Sequence, residues 1–419
     1  MLGKKTSPFI TIGGPVGLVL GIVLGALVHG GRAEWLRGLL VVTNPVGTIW
    51  MNALRVSVIP LTICLLVVGV CSVPKGRTLG RWASLTFACI VGLLVFAALF
   101  TLIGTKFAFA ISKPSTIHLP SVATPQIPKS GGTWYEQLVP ANFVEALLQG
   151  DILSLAILAV LFGLALRTLS DEKRRPIEAL FVGVRDAMMA FVHWVVLAIP
   201  IGAFALTFGF AVGTGLDVAQ SIFQFVVYSS ALMLVLAVIV TAIGLFVHRG
   251  SASSFLAAVS PLAAVAIGTR SSLASLPTLV ESAGDMGLPE PAQDVVLPTC
   301  VSLFKMNRTV SSTAKLLFLS AALGIVVSPQ AMVVFFGTAF LLSFATPGLP
   351  SGGSHITWGA YMAAGIPIEA IVLFDVASPL TDVFKTVLNV LADFVVAVIV
   401  SAIVAHRPRG SLAGESQTV

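Results

Sequence analysis

Between residues 8 and 404 the chain is a succession of apolar stretches, most of them at or beyond the roughly 20 residues an α-helix needs to cross a hydrocarbon core. Where lipid surrounds such a stretch its backbone must be helical, because every N–H and C=O has to be paired within the segment. Unbroken stretches lie near 8–30, 46–73, 82–110, 141–168, 181–213, 219–247, 297–327 and 368–404. Two others, 252–280 and 331–366, are interrupted by Ser, Gly and Pro in "GTRSSLASLP" and "SFATPGLPSGGSH". Non-helical backbone at membrane depth is tolerated only against protein or a wet cavity, so the interruptions read as the tips of two re-entrant hairpins facing one another near the midplane. The predicted fold class is an all-α polytopic membrane protein with eight transmembrane helices plus two re-entrant helical hairpins. The competing reading of the interrupted segments is two kinked, tightly packed helices.

Charged residues make up 10% of the chain and hydrophobic ones 57%, against about a quarter charged in a soluble domain, which leaves little room for one here. The net charge of +6 is no signal for nucleic acid, since Lys and Arg collect in membrane loops for topological reasons. With the N-terminus inside and the hairpins entering from opposite sides, twelve Lys and Arg fall in inside loops and four in outside loops. That asymmetry predicts both termini on the cytoplasmic side of the cell inner (plasma) membrane, with lipid as a partner. The first apolar stretch is too long for a signal-peptide core and is expected to remain as a span. Residues 113–140 read as a polar outer loop. Cys64, Cys71, Cys89 and Cys300 all sit inside apolar stretches, as small buried hydrophobes without metal-ligand spacing.

The chemistry lies in the charges left inside spans. Lys305 and Arg308 are one helical turn apart in "LPTCVSLFKMNRTVSSTAKLLFLSAALGIVV". Asp382, Lys385, Asn389 and Asp393 follow at spacings of 3, 4 and 4, which places them on one helical face. The first hairpin tip adds Arg270. Ions at such depth pair with one another or line a functional cavity. Arg270, Lys305, Arg308 and Lys385 outweigh Asp382 and Asp393 by two positive charges, an imbalance a substrate with two carboxylates would neutralise. Backbone N–H groups at helix N-termini of the hairpin tips suit the same anion. The alternative is that these ions form internal salt bridges, such as Asp382 with Arg270, and that Lys305 snorkels away.

These residues resemble the dicarboxylate/amino acid:cation symporter (glutamate transporter) family. The resemblance rests on "TRSSLASLP", the Pro/Gly-rich second hairpin and the pattern D-x-x-K-T-x-x-N-x-x-x-D. The stretches "LRVSVIPLTICLLVVGV" and "NFVEALLQGDILSLAILAVLFGLAL" look like the family's second and fourth spans. It implies a homotrimer with an elevator mechanism, the scaffold formed by 1–80 and 141–215 and the transport domain by 81–112 and 216–405, ahead of a cytoplasmic tail, 406–419. It also implies that Ser272 in the first hairpin, with backbone near Leu349, Pro350 and Gly353 in the second, holds the substrate's main carboxylate. Asp382 and Thr386 would meet its amino group, Thr309 would close the pocket and Asn389 complete it. Arg270, Ser271 and Arg308 join these as substrate-binding candidates by their own position at the first hairpin tip and inside the seventh span. Lys385 stands where the family usually has an arginine, and a lysine lacks the bidentate fork.

The departures from the family concern sodium. Its seventh-span motif Asn-Met-Asp-Gly-Thr is here Lys305, Met306, Asn307, Arg308 and Thr309, which removes a carboxylate and adds two cations. The third-span ligands are replaced by apolar residues around "FACIVGLLVF". Lys305, with Asn307, Asn389 and Asp393, is therefore expected to substitute for a bound cation, its ammonium paired with Asp393. A residual sodium site at Asn389 and Asp393 is the competing arrangement. No cofactor, catalytic residue or other metal is expected. An intramembrane hydrolase would need more than Ser271, Ser272 and Ser354 beside His355, since no orienting partner or oxyanion donor accompanies them. An anion channel would use the same basic pocket. The substrate class stays open between acidic amino acids and C4-dicarboxylates.

Overall fold

In the computed structural model the described residues are 8–71, 77–117, 139–149, 151–248, 250–344 and 357–405, and their regular structure is entirely helical. In chain order the helices are α1 (Pro8–His29), α2 (Leu40–Cys71), α3 (Arg77–Ile111), α4 (Phe143–Gln149), α5 (Ile152–Thr168), α6 (Asp171–Leu197), α7 (Ile199–Thr214) and α8 (Asp217–Val247). They continue with α9 (Ala252–Thr269), α10 (Leu276–Asp285), α11 (Leu297–Leu303), α12 (Met306–Leu323), α13 (Pro329–Ser343), α14 (Trp358–Ala363), α15 (Ile368–Val376) and α16 (Ser378–Ala405). Among the described residues four helices are long and apolar enough to cross a membrane, within α3, α8, α9 and α16, and α6 with α7 would make a fifth. Shorter apolar helices occupy Gly13–His29, Ile59–Cys71, Leu153–Thr168 and Pro329–Ser343. The chain is an all-helical, multi-pass membrane protein.

Several stretches read as single spans are broken, each for a local reason. The 181–213 stretch bends by 59° between α6 and α7. There Pro200 lacks an N–H and its ring clashes with a carbonyl four residues back. Asp151 divides 141–168 by accepting the Ser154 N–H at 3.3 Å and so starting α5 afresh. The 368–404 stretch turns at Ala377, just ahead of Pro379. The 297–327 stretch opens at Phe304 and Lys305, whose backbone leaves the helical region (φ −104°, ψ 119° and φ −131°, ψ 81°) before α12 begins. In the first interrupted segment, α9 and α10 pack side by side across a turn at 270–275. The interruption of the second, including Leu349, Pro350, Gly353, Ser354 and His355, lies outside the described residues.

Two packing systems dominate. One core joins α3, α8, α9, α10, α11, α12 and α16 through residues such as Leu94, Leu236, Leu262, Phe304 and Phe394. Elsewhere α2 packs on α5, α6 and α7. The tightest helix pair is α1 on α7, where small residues let the backbones approach. A Cβ on Gly21 would lie 2.1 Å from Thr207 Oγ1 and 2.7 Å from the Phe204 carbonyl. Backbone cannot yield as a flexible side chain does. Gly21→Val is therefore expected to lose about 1–3 kcal/mol, read as a lower unfolding temperature in detergent, whereas substitution of the unhindered Gly92 on α3 should leave it unchanged.

Candidate functional site

The break before α12 creates a helix C-terminus and a helix N-terminus inside the protein, each needing partners for its unpaired backbone groups. Lys305 serves the first. Only 2% exposed, it donates from Nζ to the carbonyls of Val301 and, at 3.2 Å, Phe304, at the negative end of α11. Asn389, reaching over from α16, serves the second by accepting the Asn307 N–H on Oδ1 at 2.9 Å. One turn along α16, Asp393 is completely buried and neither carboxylate oxygen has a hydrogen-bond partner. Lys305 and Asp393 act on one another electrostatically. They do not form a contact ion pair. The expected pairing is thus a through-space one, because the ammonium is held by the α11 carbonyls.

Arg308 and Thr309 follow on α12, 6% and 3% exposed. Ser343 at the end of α13 donates its proton to the Ala339 carbonyl at 2.8 Å, so the 3.1 Å contact between Thr309 and Ser343 has Thr309 as donor. This ties α12 to the arm entering the second interrupted segment. On α16, Lys385 donates to Asp382 Oδ1 at 2.9 Å and to Ser378 Oγ at 2.5 Å. Asp382 therefore pairs with Lys385 and not with Arg270. Thr386 turns its hydroxyl back to the Asp382 carbonyl at 2.9 Å. Lys305, Arg308 and Lys385 all face the interior, so the reading in which Lys305 snorkels outward does not hold.

The first hairpin tip is less enclosed. Arg270 is half-buried in the left-handed region at φ 51°, as the residue ending α9. That conformation is costly for an arginine, and strain of this kind collects at functional sites. Ser271 caps the turn by accepting the Ala274 N–H at 3.3 Å, and Ser272 is buried.

A second layer of charge escaped the sequence reading. Lys315, two turns beyond Arg308, forms an ion pair with Asp375 of α15, both side chains 8% exposed. The other Asp375 oxygen accepts the Trp358 indole N–H of α14 at 2.5 Å. Tyr361, one turn further along α14, donates to the Ser312 carbonyl at 3.1 Å and lies under the Lys315 ammonium. The signal for Lys315 was its i+7 spacing from Arg308, and for Asp375 its position as a lone acid in an apolar run.

Buried cations and carboxylates therefore gather around the break before α12. Charges held inside an apolar chain pair with one another or line a functional cavity. A proton/glutamate-aspartate symporter of Escherichia coli (strain K12) is 26% identical over 405 residues, spanning 92% of this chain and 90% of the relative. A proton/sodium-glutamate symport protein of Bacillus subtilis (strain 168) is 24% identical over 414 residues, with coverage of 92% and 90%. A C4-dicarboxylate transport protein of Paraburkholderia xenovorans (strain LB400) is 25% identical over 404 residues, spanning 92% of this chain and 90% of the relative. The family profile described as the sodium:dicarboxylate symporter family matches residues 11–403, nearly the whole chain, and the protein belongs to that family.

Proposed function

We propose that this protein is a secondary transporter of acidic substrates, acidic amino acids or dicarboxylates, working by elevator-type alternating access without sodium. The observation that carries the reading is Lys305, a buried ammonium in the position the family gives to a sodium ligand, acting on the buried Asp393. A tethered cation removes the need for a free one. The proposed substrate pocket lies between the α12 N-terminus, the Asp382–Lys385 pair and the two interrupted segments. The first hairpin contributes Arg270, Ser271 and Ser272, and the second contributes backbone near Leu349, Pro350 and Gly353. Thr309, Thr386 and Asn389 complete the lining.

The moving part comprises 81–112 and 216–405, carried against a scaffold of 1–80 and 141–215 in a homotrimer. Eight crossings and two re-entrant hairpins leave both termini cytoplasmic in the inner (plasma) membrane. The relatives' names support acidic substrates. The second reading is a sodium- or proton-coupled symporter, favoured by the two unpartnered Asp393 oxygens and by the coupling ions in those names.

Uptake of labelled aspartate and succinate into proteoliposomes, with sodium and proton gradients imposed separately, tests the proposal. Saturable uptake is expected in sodium-free medium. Uptake that vanishes without sodium would overturn sodium independence, and large unitary currents without counterflow would point to a channel.

A further inference from the structure

An alkylammonium has three N–H donors, and Lys385 finds three acceptors on its own helix. Nζ donates to Asp382 Oδ1 at 2.9 Å, to Ser378 Oγ at 2.5 Å and to the Ser378 carbonyl at 3.2 Å. Two of these acceptors belong to one residue, seven positions back along the chain. Ser378 is 8% exposed and begins α16, directly after the turn at Ala377. Among the described residues its hydroxyl oxygen accepts from the Lys385 ammonium and caps no backbone N–H.

A lysine carries a point charge on a flexible stem, without the planar fork of an arginine, so its charge sits where its partners hold it. A substrate carboxylate that meets Lys385 needs one of the three N–H groups. The Ser378 carbonyl is the longest contact, and it already accepts the Thr381 hydroxyl at 2.9 Å, so it yields at the least cost. The Ser378 hydroxyl and the Asp382 carboxylate then hold the ammonium from two sides. We infer that Ser378 is a positioning residue for substrate binding, whose hydroxyl keeps the Lys385 ammonium at one place and so sets the length of acid the pocket accepts. Without it the lysine stem samples other rotamers, and acids that differ by one methylene are accepted more nearly alike.

This rests on the transport reading above, with Lys385 at the substrate, and the experiment separates the two. KM and kcat for aspartate and for glutamate are measured in proteoliposomes for the wild type, Ser378→Ala, Lys385→Met, Lys385→Arg and the two double variants that combine Ser378→Ala with each change at Lys385. The wild type is expected to distinguish the two acids. Ser378→Ala should raise KM for the preferred acid by about five- to tenfold while kcat stays within about twofold, as for a lost charge-assisted hydrogen bond that served binding alone. The preference between the acids should fall toward unity. On top of Lys385→Met, Ser378→Ala should add nothing to KM, because methionine gives the hydroxyl no donor to hold. On top of Lys385→Arg it should cost less than about twofold, since the guanidinium brings its own fork.

A KM change in Ser378→Ala that persists in full on top of Lys385→Met would show that Ser378 acts on the helix break and not through the ammonium, and would overturn the inference. A fall in kcat at constant KM would do the same, as would a wild type that takes up both acids without distinguishing them. Should Ser378→Ala not fold, Ser378→Cys, whose thiol is a weak acceptor, runs the same cycle. Wild-type protein that takes up neither acid fails the transport reading itself.

Discussion

In sodium-free medium, Lys305→Met is expected to lower substrate uptake by at least about 100-fold. The ammonium has two roles: it caps the α11 carbonyls of Val301 and Phe304, and it is the cation acting on Asp393. Methionine keeps the volume and removes both. Deleting one member of a buried pair costs about 3–5 kcal/mol, because the remaining charge is left uncompensated, and each 1.4 kcal/mol is a factor of about ten. Adding sodium should recover part of the loss in this variant and have little effect on the wild type, since the carboxylate oxygens of Asp393 have no other partner. Lys305→Met combined with Asp393→Asn removes the lone charge and should recover folding without creating sodium dependence. The decisive measurement is a sodium titration of uptake for the three proteins. A Lys305→Met protein transporting within a factor of two of wild type without sodium would show that no tethered cation is at work.

The second large effect is expected at Lys385. Its ammonium contacts Asp382, Ser378 Oγ and the Ser378 carbonyl, so it is anchored at the start of α16 with 16% of its side chain still accessible. Charge-assisted hydrogen bonds contribute roughly 1.5–3 kcal/mol each. Lys385→Met should therefore raise the KM for an acidic substrate by roughly 10–100-fold. Lys385→Arg keeps the charge and adds a planar fork, so KM should stay within about fivefold while discrimination between carboxylates of different length sharpens. Concentration dependence of counterflow reads both. An unchanged KM in the methionine variant would place Lys385 away from the substrate.

Most of the candidate site could be read from spacing alone. Asp382, Lys385, Asn389 and Asp393 belong to one unbroken helix, so a period of 3.6 residues places them on one face whatever surrounds it. Lys305 and Arg308 announce themselves because cations in an apolar run need an interior partner. Local pattern fails where more than one partner satisfies it. The Asp382–Lys385 pair and the attachment of Lys305 to the α11 carbonyls depend on side-chain reach within a particular fold, and Asp382–Arg270 satisfied the same charge rule on paper. Lys315 and Asp375 were passed over because they are 60 residues apart and each, alone, is a single charge in an apolar run with no partner in sequence reach.

The sequence by itself determined that this is an all-helical membrane chain with interrupted segments, since lipid permits few backbone solutions and hydrophobic length registers each one. It also determined that basic groups are held inside. The tertiary structure decided where the helices open, at Ala198, Ala377 and the Phe304–Lys305 junction, because a break survives only when neighbouring side chains satisfy the freed backbone groups, as Lys305 and Asn389 do. It decided the buried pairings as well: the packing of α12 against α14, α15 and α16 brings Lys315 to Asp375, the Trp358 indole to the same carboxylate and the Asn307 N–H to Asn389.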